Sequence, residues 1–168
     1  SGAFPGPWAM IGCMTCWSAY DLENAEVEGL DVVVNKPRAI PYRAPAAPMA
    51  AFGVETVLDE IAERLEIDPV ELRLKNAAHE GTLSVMGVQL PIVGAIETLE
   101  AIATSDHYSA ALGPNQGRGV AIGYWGNMGA ASSATVNLNE DGTVVVITGS
   151  PDIGGSRASM ALMAAEEL

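Results

Sequence analysis

Pro41, Pro45 and Pro48 fall within eight residues and run directly into a long helical pattern, so residues 41–48 leave this chain little conformational choice. Proline fixes its own φ and pushes the residue before it toward extended backbone. Ala44 and Ala47 both precede a proline, which predicts an extended, stiff loop. Proline also suits the first turn of a helix, where its missing N–H has no partner to lose. Pro48 is therefore the expected helix start, and the helix reaches about Leu65. The loop carries one charge, Arg43, and leads to a helix N-terminus, where free amides and the dipole favour anions. The plainer reading pairs Arg43 with one of the chain's many acids.

Apolar residues recur at Ala50, Val54, Val57, Leu58, Ile61 and Leu65, the spacing of one buried helix face. Glu55, Asp59, Glu60 and Glu63 then lie on the solvated side, with Glu60 and Arg64 a favourable i,i+4 pair. A second helix starts at Asp68 with Pro69 in its first turn and Glu71 completing a capping box. A third spans residues 95–104. Short strands are expected over residues 31–35, 119–124, 133–138 and 143–148. The last two flank Asn139-Glu140-Asp141-Gly142, a hairpin signal because Asp-Gly accepts positive φ. Thr148 through Arg157 reads as strand, glycine turn and helix start, a geometry that can hold an anion or a polar ring on backbone amides. The small-residue run 126–132 could let a ligand or a neighbouring backbone come close. These elements make an α+β chain with a mainly antiparallel sheet and packed helices. The expected lobes are residues 1–112, holding the Arg43 loop and helices, and residues 113–168, holding the hairpin and last helix.

Residues 1–20 carry no charge and read as a buried loop with a short helical turn. Cys13-Met14-Thr15-Cys16 has the C-x-x-C spacing, but no second cysteine pair or nearby histidine completes a zinc set. Two structural thiols are expected, with no metal ligands. Twenty-one acids against eight Lys and Arg give a net charge of −13, which opposes nucleic acid and acidic membranes. No apolar run is long enough to span a membrane, and the expected setting is cytoplasmic. Charged residues make up only 17%, so much of the surface is expected to meet other protein. The chain opens without methionine and stops in a helical run ending on two acids, without a cap, which predicts part of a longer protein.

Tyr42-Arg43-Ala44-Pro45-Ala46-Ala47-Pro48-Met49-Ala50-Ala51-Phe52, followed by Glu55, Asp59-Glu60 and the run Ile67-Asp68-Pro69-Val70-Glu71-Leu72-Arg73-Leu74-Lys75-Asn76, resembles a known family. It is the molybdenum-cofactor-binding (large) subunit of the xanthine dehydrogenase, aldehyde oxidase and aerobic carbon monoxide dehydrogenase group. The run from Gly117-Arg118-Gly119 to Leu168 is similar to the same family, so the resemblance covers almost the whole chain in order. It implies a molybdenum hydroxylase that oxidises an aldehyde, purine or N-heteroaromatic substrate with water as oxygen source. The implied cofactor is molybdopterin, as the cytosine dinucleotide, and electrons pass to iron–sulfur and FAD subunits or domains. Arg43 is the implied catalytic residue, with Arg43, Ala44, Gly154, Gly155 and Ser156 at the cofactor. The glutamine that often separates the two glycines is absent, and Pro45 stands where some members carry a substrate-stacking aromatic. The family's glutamate base lies beyond Leu168. This chain alone is thus expected to be inactive and cofactor-free, with its uncovered faces prone to self-association. The alternative is a non-catalytic assembly or anion-binding domain.

Overall fold

The computed structural model describes residue 2, residues 5–126 and residues 131–168. In order, the elements are α1 (Trp8–Thr15), α2 (Ala47–Leu65), α3 (Pro69–Lys75), α4 (Ala95–Ala103), α5 (Asp106–Ser109), β1 (Ala134–Leu138), β2 (Val144–Thr148) and α6 (Ser156–Glu167). Helices with a two-stranded antiparallel sheet make the fold α+β, as the element pattern predicted. Contacts divide the chain into two compact units, residues 1–125 and 126–168.

In the first unit α3 is the hub. Asp68 caps it, accepting at Oδ1 from the amides of Val70 (2.8 Å) and Glu71 (3.1 Å). At Oδ2 it accepts from the Tyr108 hydroxyl (2.8 Å). Only half of the expected capping box forms, because the Glu71 carboxylate turns away to Lys75 (2.8 Å). Val70, Ala77 and Leu99 are the buried centre, and Leu74, Ile96, Ile102, Tyr108, Val120 and Ile122 pack around them. The first residues depart from a simple loop, since α1 occupies Trp8–Thr15 and is half-buried. Among the described residues, the segment 31–35 forms an isolated bridge, at Val33 with Gly2, in place of the expected strand. Residues 119–124 form no strand among the described residues, and the Ile122 amide donates to a side chain instead.

The largest correction concerns α2. Its inward residues are Ala47, Glu55 and Ala62, while Val57, Ile61 and Leu65 are exposed. The helix is rotated from the face that hydrophobic spacing selects, and the cause is Arg73. This guanidinium is fully buried on α3 and needs carboxylates. Its Nε reaches Glu55 Oε2 at 2.8 Å and its Nη2 reaches Asp59 Oδ1 at 2.8 Å. Nη1 donates to the Pro69 carbonyl (3.0 Å), and Nη2 also donates to that of Glu55 (3.3 Å). Glu55 in turn accepts from the Tyr20 hydroxyl at Oε1 and from the Ile122 amide (3.0 Å) at Oε2. One carboxylate therefore ties together α2, α3, the segment after α1 and the segment before residue 126. Burial and the hydrogen bond to Glu55 push the Tyr20 hydroxyl far above its ordinary pKa.

The proline loop also departs from expectation. Ala44 and Ala46 adopt left-handed backbone, with φ of 54° and 63°, in place of an extended path. The chain thereby reverses sharply and enters α2 at Ala47, with Pro48 in the first turn. A left-handed alanine costs about 1–2 kcal/mol, whereas glycine costs only roughly 0.5–1 kcal/mol of extra chain entropy on folding. Ala46→Gly is therefore expected to raise unfolding stability by about 0.5–1 kcal/mol. Urea unfolding checks this: the midpoint should rise with an unchanged m-value, and a lower midpoint would contradict it.

In the second unit β1 and β2 pair antiparallel from Ala134↔Thr148 to Leu138↔Val144. Gly142, at φ 80°, closes the predicted turn, and Asp141 Oδ1 accepts from the amide (3.0 Å) and hydroxyl (2.7 Å) of Thr143. A groove of about 810 Å³ separates the hairpin from α6, lined by Val144, Val146, Met160, Ala161 and Ala164.

Candidate functional site

Two short segments hold the residues that the family resemblance places at the cofactor. Arg43 and Ala44 sit together in the first unit, and Gly154, Gly155 and Ser156 sit together in the second.

Arg43 projects from the reversed loop into solvent and makes no hydrogen bond or ion pair among the described residues. The carboxylates that could have captured it, Glu55 and Asp59, are taken by Arg73. The acid-paired reading of Arg43 is thus not what the fold adopts. Its planar, five-donor head stays available for a carboxylate, phosphate or oxo group, which such a fork binds in two places at once. Ala44 and Ala46 supply the reversal that presents it. Strained backbone of this kind is found at ligand-facing loops, where the surrounding fold holds it in place.

The turn before α6 is built to hold an acceptor. Gly154 (φ 113°) and Gly155 (φ 89°) aim amides inward. Asp152 Oδ1 accepts from the amide of Gly154 (2.9 Å), the amide of Ser156 (3.2 Å) and the Ser156 hydroxyl (3.0 Å). Arg157 lies 3.7 Å from the other oxygen. The Gly154 amide, then the Ser156 hydroxyl, hold the Asp152 carboxyl below its usual range. The donors form the cradle that the glycine pattern predicts, but the chain's own carboxylate fills it. An acid followed four residues later by serine is the readable signal for this cap, and the sequence reading passed over Asp152.

Cys13 and Cys16 are free, half-buried thiols at the end of α1, and Cys16 Sγ donates to the Cys13 carbonyl (3.2 Å). Burial, then the neighbouring Cys13, raises the Cys16 pKa, which disfavours a reactive thiolate. Among the described residues no His, Cys, Asp and Glu cluster could hold a metal ion, and no helix is long and apolar enough to cross a membrane. Of the small-residue run 126–132, residues 127–130 lie outside the described residues.

Comparison with known proteins adds a second line. Two family profiles, both described as molybdopterin cofactor-binding domain, match residues 2–77 and 95–168. The chain is 30% identical over 155 residues to the aldehyde oxidoreductase of Megalodesulfovibrio gigas, covering 85% of this chain and 17% of the relative. It is 35% identical over 147 residues to a putative xanthine dehydrogenase molybdenum-binding subunit of Escherichia coli K12, covering 79% of this chain and 20% of the relative. A solved aldehyde oxidoreductase from Desulfovibrio gigas has a similar fold, with a TM-score of 0.60 at 24% identity over 86% of this chain and 17% of that one. The chain thus spans about a fifth of the length of these curated relatives.

Proposed function

The chain belongs to the molybdopterin cofactor-binding domain family, and on that premise we propose that it forms one wall of the cofactor site in a molybdenum hydroxylase subunit. The observation that carries this reading is Arg43. In a chain with 21 acids it is exposed and has no acid partner among the described residues, on a reversed loop inside the segment the first family profile matches. The residues fit the group in two different degrees. Arg43 and the backbone at Ala44 would hold the anionic and oxo functions of the cofactor, since the guanidinium's donors are exposed and have no acid partner among the described residues. The donors of Gly154, Gly155 and Ser156 suit an anionic group, but would be open to one only with the Asp152 carboxylate turned away.

When bound, the cofactor would supply the chemistry of a two-electron oxidation in which a water-derived oxygen is transferred to a substrate carbon. Arg43 orients the bound groups and offsets negative charge, which costs least when its donors are already free of competing carboxylates. Ala44 and Ala46 hold the loop so that the guanidinium need not reorganise. The cytosine dinucleotide form of the cofactor, and iron–sulfur and FAD partners for the electrons, complete this proposal. The substrate is an aldehyde, a purine or an N-heteroaromatic ring. Pro45, in place of a stacking aromatic, favours the aldehyde.

The test is dye reduction by the cofactor-loaded protein that contains this chain, offered benzaldehyde, hypoxanthine and nicotinate in turn. Aldehyde-dependent turnover is expected. Cofactor-loaded protein that oxidises none of the three would overturn the reading.

A further inference from the structure

The exposed side of α2 carries Met49, Gly53, Val57, Ile61 and Leu65, a row spaced by four along one ridge of the helix. The four large members are between 37% and 72% exposed, and Phe52 beside them is 77% exposed. Rows of this spacing are the ridges by which helices pack on one another. A Cβ added at Gly53 would meet nothing within 4 Å, so the row has a gap at its second position. Reversed on itself about Val57, the row sets Met49 against Leu65, and Gly53 against Ile61. Small then meets large, as a packed helix pair requires.

Charge follows the same symmetry. Arg64, Arg73, Lys75 and Arg157 each have a carboxylate partner, and Arg118 lies over the Tyr108 ring. Lys36, Arg38 and Arg43 have no ion-pair partner among the described residues, and no acid occurs anywhere from residue 32 to residue 54. These three cations precede α2. At its far end Glu63 and Glu66 remain exposed as an acidic excess beyond the Glu60–Arg64 pair. A 19-residue helix is about 28 Å long, so one end cannot reach the other within a chain. Two antiparallel copies bring each basic end to the other's acidic end.

We propose that α2 is a self-association surface, pairing antiparallel with α2 of a second copy of this chain about a two-fold axis through Val57. The contact is isologous, so it closes at two copies. Polyanions such as nucleic acid are the poorer fit, since a net charge of −13 repels them and the apolar row would stay uncovered. The inference concerns the cofactor-free chain and goes beyond the proposed function; its failure leaves that reading untouched.

Sedimentation of the 168-residue chain tests it. A dimer is expected by about 100 μM, weakening as salt rises because the end charges are screened. Gly53→Lys adds a better helix former where the single chain has open space, so the monomer keeps or gains thermal stability. The same lysine fills the gap meant for Ile61 and should weaken dimerisation at least ~10-fold. In a Cys13→Ser, Cys16→Ser background, Val57→Cys should cross-link to itself on mild oxidation, whereas Thr148→Cys should not. A chain monomeric throughout, a dimer untouched by Gly53→Lys, or absence of the Val57→Cys cross-link would each overturn the proposal.

Discussion

Substituting Arg73 by methionine is expected to remove about 3–5 kcal/mol of stability, the cost of leaving a buried charge without its partner. A domain of this kind holds only about 5–15 kcal/mol in total, so the variant should be largely unfolded under mild denaturant. The reasoning rests on Glu55. Glu55 is 5% exposed and would keep the Tyr20 hydroxyl and the Ile122 amide but lose the Arg73 cation. Asp59, with a half-exposed side chain, can turn to water and suffers less. Glu55→Gln should be milder, because an amide oxygen can still accept from Tyr20 or Ile122 while no charge stays buried. Lysine at 73 should not rescue, since a point charge cannot serve Glu55, Asp59 and the Pro69 carbonyl together. Urea unfolding by circular dichroism gives the order wild type, Glu55→Gln, Arg73→Met. A loss under ~1 kcal/mol for Arg73→Met, the range of surface pairs, would show that this pair does not hold the unit together.

The second large effect is on turnover. In the cofactor-loaded protein, Arg43→Ala is expected to lower kcat by about 10²–10³-fold, the usual consequence of deleting one preorganised donor at a reacting oxygen. Molybdenum content should stay near that of the parent. Arg43→Lys should fall between the two, keeping the charge and losing the paired geometry. Folding is not at issue, because Arg43 is exposed and touches no acid among the described residues. An unchanged kcat would remove Arg43 from the site, and lost molybdenum would reassign it to holding the cofactor alone.

Much of the framework could be read from local signals. Asp68-Pro69 marked the start of α3, Asp141-Gly142 marked the hairpin, and Gly154-Gly155 marked the entry to α6. Each depends on residues within a turn of one another, which is why a sequence reveals them. Glu55 did not yield to the same reasoning. Periodicity assigns carboxylates to solvent, and the cation that draws this one inward lies 18 residues away on another helix. The expected strand at residues 119–124 failed for a related reason. Its alternation is real, since Val120 and Ile122 face the core. A strand also needs a pairing edge, and here the Ile122 amide is claimed by Glu55. The short α5 was overlooked although Ser105 caps it, accepting from the Tyr108 amide (3.2 Å). At the candidate site, Arg43 was visible as a lone charge among prolines. The left-handed alanines beside it were not, because alanine carries no signal for positive φ.

The most direct test of the cofactor-site reading is molybdenum per protein, by elemental analysis, on two samples made in cells that synthesise molybdopterin. One is a longer polypeptide in which this chain replaces the matching segment of a molybdenum-binding relative, and the other is the 168-residue chain alone. Hydrogen bonds in a half-open site add only about 0.5–1.5 kcal/mol each, against roughly 4 kcal/mol or more to immobilise a ligand. The predicted result is one molybdenum per longer polypeptide and none retained by the chain alone. A longer polypeptide that folds and carries no molybdenum, or a lone chain that holds it stoichiometrically, would contradict the account.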